Sequence, residues 1–420
     1  MTGEVAIQGV GMTELAERFG TPLYVYDGDS LRGQYSGLRE RLHPAMEIFY
    51  SLKANPNVAV CALLGSLGAR AEVSSMVELR TALAAGVAPG DIIFLGPGKS
   101  RAELEACLSE GIFALVCESF GELAIIDELA RERGVIAPVM LRVNPSFAVK
   151  GSGLTMGGKP RQFGIDEQQL FDEADLVKNH PGVRVLGVHA YLGTRILDPE
   201  VIAENARRII DLAERLAERL DFVLEAVDVG GGLGVAYFPG EPDLDPAAVV
   251  RLLNPVVEAF HAAHPGARLL LELGRYLAAP CGTYVTRVRY VKSSMQERFA
   301  VTDGGTNHHM AAVGIGSFVK RNFPMRLLNR SDTDADTGPW NVTGPLCTPN
   351  DTVGRNVELP ELRPGDLVGV LRSGAYGPSA SPVLFLSHGH PAEVLVDGGR
   401  ARLVRRRDTV EDLLGPQFLD

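Results

Sequence analysis

Phe49-Tyr50-Ser51-Leu52-Lys53-Ala54-Asn55-Pro56-Asn57 reads as the end of an apolar strand, residues 46–52, that delivers one lysine into a loop closed by Asn-Pro before a helical segment. A lysine at the carboxyl end of a buried strand is costly unless it is used or paired, because desolvation favours the neutral amine. Neutral lysine attacks aldehydes, so the chemical reading of Lys53 is a Schiff-base lysine. The structural reading is a packed stem whose ammonium reaches water, which is the commoner fate of lysine.

Outward from this strand the chain repeats a rhythm. Helix-like residues 58–67, 76–85 and 101–110 lead to strand-like 69–73, 92–95 and 113–117. Residues 120–133 then precede 137–143, 167–178 precede 183–192, 202–220 precede 222–229, and 247–263 precede 267–273. With the Lys53 strand this makes eight apolar strands separated by helices. The fold class expected is α/β plus β: a closed (β/α)8 TIM barrel with a C-terminal β-rich domain, an open doubly wound sheet being the alternative to the barrel. Lys53, Glu72, Arg142, Asn144, His189, Tyr191, Gly230, Gly231, Gly232 and Glu272 all fall at or near strand ends, where a barrel gathers distant loops into one site.

After Cys281 the texture changes to short apolar segments, 284–290, 298–302, 366–371, 383–386 and 401–404, punctuated by Gly, Pro and Asn. The expected organisation is an N-terminal segment, residues 1–30, that joins the β domain, a barrel over 31–280, and a β-rich domain over 281–420. A helix over 12–19 and a strand over 22–26 fit that segment, and residues 329–340 read as an exposed loop.

Composition excludes several classes. With 45% hydrophobic and 22% charged residues in 420, the chain is an ordinary folded globular protein. Its 52 acidic against 41 basic side chains give a net charge of -11, which argues against a nucleic-acid-binding surface. The five cysteines form no CxxC pair, disulfide framework or zinc pattern. The first residues lack a secretory signal and no apolar run is long enough to span a bilayer, so no membrane partner is expected and a reducing cytoplasm is the expected compartment.

Two further stretches carry chemistry. Gly230, Gly231 and Gly232 follow a strand, and consecutive glycines let backbone N–H groups point at an anion, with phosphate the natural ligand and packing the alternative. Glu272, Gly274 and Arg275 end the eighth strand. A carboxylate there can keep the ring nitrogen of pyridoxal phosphate protonated, and an arginine can bind its phosphate.

Taken together, these residues make the chain resemble the fold type III pyridoxal-phosphate decarboxylases, the superfamily of diaminopimelate, ornithine and arginine decarboxylases. The likeness covers nearly the whole chain: SLKANPN at Lys53, LRVNP at Arg142 and Asn144, QFG at Phe163 and Gly164, the glycine run, ELGR at Glu272, GPLCTPND at Cys347 and Asp351, and SGAYG at Tyr376. The resemblance implies pyridoxal 5'-phosphate as cofactor, carried by Lys53 and paired through its ring nitrogen with Glu272. It implies Gly230, Gly231, Gly232, Arg275, Tyr376 and Thr194 around the phosphate, with Gly274 in the same turn, Glu72 as an acidic cofactor contact and Arg142 as a site organiser. Cys347 is the implied acid, contributed from the opposite subunit of a homodimer with shared active sites.

Two departures bear on the substrate. Tyr191 stands where the family's ring-stacking histidine is expected, with His189 two residues away on the same strand face and a candidate to enter the substrate pocket. Thr348 stands where the basic-amino-acid decarboxylases resemble an acidic residue that meets the distal substrate amine, while Asp351 remains a candidate for that amine. The stretches around Asn307-His308-His309 and 318–324 resemble a branch tied to specialised antibiotic biosynthesis, including the butirosin-pathway decarboxylation of glutamyl units on an acyl-carrier protein. Lys320, Arg321 and Arg326 are candidates to meet an acidic substrate or carrier surface. The paired histidines lack a matched ligand set, and no metal is expected. The expected reaction is alpha-decarboxylation of an amino acid or amino-acyl group. A free basic amino acid or diaminopimelate as substrate, a racemase, and a noncatalytic cofactor-binding homologue are the alternatives.

Overall fold

The computed structural model describes residues 3–147, 154–155, 158–313, 321–331 and 336–419. The chain divides into two compact units, one of residues 34–236 and 242–276, the other of residues 1–33, 237–241 and 277–420.

The first unit is a closed parallel barrel. Its strands are β1 (Met46–Ser51), β2 (Arg70–Val73), β3 (Ile92–Phe94), β4 (Ala114–Cys117), β5 (Ala137–Asn144), β6 (Val183–His189), β7 (Ala226–Asp228) and β8 (Arg268–Leu273). Each pairs with the next in sequence, β4 with β5 included, and β8 pairs with β1, so the ring closes and the doubly wound alternative is excluded. Phe49, Ile93, Ala114, Val116, Met140, Leu186, Ala226 and Leu270, drawn from every strand but β2, pack as one buried cluster. Burial on both faces explains why these strands read as apolar runs. Three successive helices are started by the same Ser-x-x-Glu signal: Ser75, Ser100 and Ser119 accept from the N–H groups of Glu78, Glu103 and Glu122.

The structure shortens several expected elements, among them β7, which spans Ala226–Asp228 of the expected 222–229. Strand β6 ends at His189, and Gly193–Thr194 pairs antiparallel with Leu154–Thr155, so Tyr191 does not share a strand face with His189. The helix expected over 167–178 is two short ones, Glu167–Asp172 and Leu176–Asn179. No helix among the described residues is long and apolar enough to cross a membrane.

Among the described residues, the second unit is built on a nine-stranded sheet. Its long strand, Gly282–Ser294, pairs antiparallel with Leu23–Asp27, which in turn pairs parallel with Ala392–Asp397. The loop expected over 329–340 is corrected in part: Thr337–Thr343 is a strand, and Trp340 is buried in a cluster with Val288, Val342, Leu359 and Val368. Residues 383–386 are not a strand. Phe385 N–H bonds back to the Pro382 carbonyl at 2.8 Å, closing a 3-10 turn, Phe385–Ser387.

Candidate active site

Lys53 sits at the centre of a 3-10 turn, Leu52–Ala54, directly after β1. The residues that follow fix its backbone. Tyr50 Oη donates to the Asn55 carbonyl at 2.9 Å, Asn55 Oδ1 accepts from Asn57 N–H, and Asn57 Oδ1 caps the next helix at Ala59 N–H. Gly274, after β8, is needed beside this turn, since a Cβ there would stand 2.8 Å from the Ala54 Cβ. Lys53 Nζ donates to Glu72 Oε2 at 2.9 Å, and Ser74 Oγ–H donates to the other Glu72 oxygen at 3.2 Å. Glu72 is wholly buried while the lysine side chain keeps 35% of its exposure, and Nζ stands 5.6 Å from the centre of the Tyr191 ring. An ammonium at the edge of solvent, tied to a dry carboxylate, is held ready for exchange rather than left to wave in water.

Beside it, His189, Asp228 and Glu272 come from the ends of β6, β7 and β8, and their polar atoms lie within 4.8 Å of one another. His189 Nε2 and Glu272 Oε1 are 3.1 Å apart, and Gly230 N–H donates to Asp228 Oδ1 at 2.8 Å. Burial by itself would raise the Glu272 pKa, but the Lys53 charge, the hydrogen bond and charge of His189, and Arg142 outweigh it and hold that carboxyl below its ordinary range. Asp228 goes the other way. Burial first, then the Glu272 charge, and more weakly Glu72, push it well above the carboxylate range against the Gly230 N–H and Lys53.

The glycine run closes the same end of the barrel. Gly230 takes the left-handed backbone at φ 66°, and a Cβ on Gly231 would come within 1.7 Å of the Glu272 carbonyl oxygen. Both packing and an anion cradle therefore require glycine here. Thr194 lies in the short strand beyond Tyr191, and Arg275 opens the four-residue helix Arg275–Ala278.

Arg142 is pinned on the barrel's inner end. Its Nη1 donates to Glu118 Oε1 at 2.8 Å, Glu118 also accepts from Gly96 and Gly164 N–H, and the guanidinium lies 4.8 Å from the Phe163 ring centre. Glu118 and Asp228 are the residues that the sequence reading passed over, although each is an acid at the end of an apolar strand.

The remaining expected site residues belong to the second unit. Cys347 is exposed and Thr348 half-buried. Asp351 is buried, and its two oxygens accept from Thr306 N–H at 2.8 Å, Thr306 Oγ1–H at 3.0 Å and Leu346 N–H at 2.7 Å. Tyr376 is held in the left-handed region at φ 55°, a sparsely populated conformation for an aromatic residue and one that gathers at functional sites. The Arg321 guanidinium stands 3.5 Å from Glu241 and 5.3 Å from the Phe238 ring centre; Lys320 lies outside the described residues. His308 Nε2 meets the Gly389 carbonyl at 2.9 Å and His309 Nε2 meets Ser373 Oγ at 2.8 Å, so both rings are tied into the interior of this unit.

Residues 29–279 match the family described as pyridoxal-dependent decarboxylase, pyridoxal binding domain. The chain belongs to this family. It is 41% identical over 97% of its length, and 96% of the relative's, to the L-glutamyl-(BtrI acyl-carrier protein) decarboxylase of Niallia circulans. It is 31% identical over 99% of its length, and 96% of the relative's, to the diaminopimelate decarboxylase of Aquifex aeolicus. The diaminopimelate decarboxylase of M. jannaschii in complex with L-lysine superposes with a TM-score of 0.91 at 28% identity, covering 100% of this chain and 96% of that one.

The protein is thus a pyridoxal-phosphate-dependent decarboxylase of an amino acid or amino-acyl group. Its residues fit the cofactor: an accessible lysine, an ionised buried carboxylate for a ring nitrogen, and a glycine turn of left-handed backbone for a phosphate are gathered at one end of one barrel.

Proposed function

We propose that this decarboxylase acts on a glutamyl group carried by an acyl-carrier protein, as a cytoplasmic homodimer with shared active sites. The observation that carries the reading is the state of the Cys347 loop. Thr348 is uncharged, and Asp351 has both oxygens committed to Thr306 and Leu346. That loop offers no open carboxylate to the side-chain ammonium of lysine, ornithine or diaminopimelate, and a cation left there unpaired is disfavoured. In this reading Asp351 braces the loop rather than meeting the substrate. A glutamyl group has no such cation. Its alpha amine must be free to bind Lys53's cofactor and its alpha carboxylate free to leave, so the carrier joins the side-chain carboxyl and removes its charge. The identity to the carrier-linked enzyme, 41% against 31% for the Aquifex relative, supports the same choice.

When bound, pyridoxal phosphate supplies an electron sink for the pair left as carbon dioxide departs. Lys53 would carry the cofactor, and when its amine is free Glu72 Oε2, 2.9 Å from Nζ, accepts its hydrogen bond. Glu272, oriented by His189, keeps a proton on the ring nitrogen. Tyr191 would supply aromatic packing for the ring, and Gly230, Gly231, Gly232, Thr194 and Arg275, with Tyr376 as the resemblance implies, would hold the phosphate. Arg142, locked by Glu118, fixes the floor of the site. The partner subunit's Cys347 returns a proton to the alpha carbon, and Arg321 and Arg326 face the acidic carrier.

The test offers the holoenzyme free glutamate, lysine, ornithine, diaminopimelate and glutamyl-carrier protein, and reads carbon dioxide and product mass. Loss of one carbon dioxide from the carrier-linked substrate alone is expected, abolished in Lys53→Ala. Turnover confined to a free basic amino acid would overturn the reading of Thr348 and Asp351.

A further inference from the structure

Glu272 shares its end of the barrel with a second carboxyl group that the decarboxylation does not use. Asp228 is completely buried at the end of β7. Its Oδ1 accepts from Gly230 N–H at 2.8 Å, while Oδ2 has no hydrogen-bond partner among the described residues. The polar atoms of Asp228, Glu272 and His189 lie within 4.8 Å of one another. Two ionised carboxylates that close, away from water, repel strongly enough that such pairs retain a proton between them.

The neighbours decide which carboxyl keeps it. The cationic and hydrogen-bonding groups facing the pair favour ionisation of Glu272: Lys53 from the turn after β1, His189 Nε2 at 3.1 Å from β6, and Arg142 from β5. Asp228 receives one backbone N–H, feels Lys53 only weakly, and is opposed by Glu272 on β8 and Glu72 on β2. An ionised Oδ2 without a donor would be a buried partial charge with nothing to offset it, whereas a neutral hydroxyl there costs far less.

We propose that Asp228 works as a neutral carboxylic acid that positions two parts of the cofactor site at once. Its Oδ1 holds the Gly230 end of the glycine turn. Its lack of charge leaves Glu272 the sole anion beside the ring nitrogen. Asp228 is a positioning residue, acting through Gly230 and Glu272, and it serves whichever amino-acyl substrate the enzyme takes.

The test separates shape from charge. Asp228→Asn is the isostere of the neutral acid, and Asp228→Ala removes the hydrogen bond to Gly230. For D228N, cofactor affinity within about threefold of wild type is expected, with the absorbance of the bound cofactor titrating with pH as in wild type; D228A is expected to weaken cofactor binding about tenfold, as loss of one buried hydrogen bond implies. Infrared difference spectra of wild type against D228N, near neutral pH, are expected to show the carbonyl band of an uncharged carboxylic acid. Absence of that band, or a D228N affinity as poor as that of D228A, would overturn the proposal. Should D228N not fold, carbon-13 labelling of aspartate carboxyls in the wild-type enzyme reports the same band, and a spectrum without a neutral aspartate would overturn it equally.

Discussion

Glu272→Gln keeps the shape of the side chain and the hydrogen bond to His189 but removes the negative charge that Lys53, His189 and Arg142 sustain at that point. A transition state that pushes electron density toward the ring nitrogen loses its electrostatic support, so kcat for carbon dioxide release is expected to fall by about a hundredfold or more, with a much smaller change in cofactor affinity. A fall in affinity alone, with kcat preserved, would make Glu272 a packing residue. The sequence exposed this residue because a charge ending an apolar strand is conspicuous against its neighbours, and the same contrast exposed Lys53 and Arg142. Asp228 has the same signature in Ala226–Asp228, yet the glycine run beside it drew the reading to phosphate. Its role depends on how far it stands from Glu272, a residue in a different strand, and that distance is not written in local sequence. Asp351 shows the same limit: its spacing from Cys347 is visible in the sequence, while the Thr306 N–H and hydroxyl that donate to it come from 45 residues away.

At the scale of elements, the barrel was legible because strands buried on both faces and helices with one apolar face alternate at a regular spacing. The second unit was not. Gly338 and Pro339 read as loop, yet they lie in a strand, because pairing with Glu297–Thr302 begins only at Asn341 and the stretch before it has a single neighbour, Thr352–Pro360. An edge position tolerates a proline that a central strand would reject. The glycine turn is the element in which fold and chemistry meet most closely. A Cβ at Gly231 would stand 1.7 Å from the Glu272 carbonyl, so Gly231→Ala must move either the turn or the end of β8. Overpacking of this kind is expected to cost about 1–3 kcal/mol in urea denaturation, and, because the displaced strand carries Glu272, to weaken cofactor binding as well. Loss of stability with cofactor affinity unchanged would separate the turn from the cofactor site.

Across the whole molecule, acid sensitivity is expected to arise in the β-rich unit as well as from surface carboxylates. Burial pushes His308 down to about 4, with the Gly389 carbonyl opposing and His388, Arg407 and His390 adding to the fall. Burial alone pushes His309 down to about 3. Both rings are therefore neutral in the folded protein over a range where the unfolded chain, with histidine near its ordinary value of about 6.5, already binds protons. The sign follows directly: the stability they contribute is complete above that value and is lost as pH falls through it toward the folded values. The loss is about 1.4 kcal/mol per pH unit for each ring, so about 3 kcal/mol per unit for the two together. His309→Gln retains a donor toward Ser373 Oγ, where the histidine Nε2 now stands at 2.8 Å, but cannot take up a proton. Urea midpoints of wild type and H309Q measured between about pH 7 and 5 are expected to diverge, with the variant losing one histidine's share of the acid slope. Parallel slopes would show that the protons bound on unfolding in this range go to groups other than His309. Asp366, raised by burial but held below the ordinary carboxylate range by its hydrogen bonds from Arg330 and Arg363, adds its own loss of stability in acid. Carboxylates of that kind act only at lower pH, so the interval between about pH 6.5 and 5 is where the two histidines can be told apart from them.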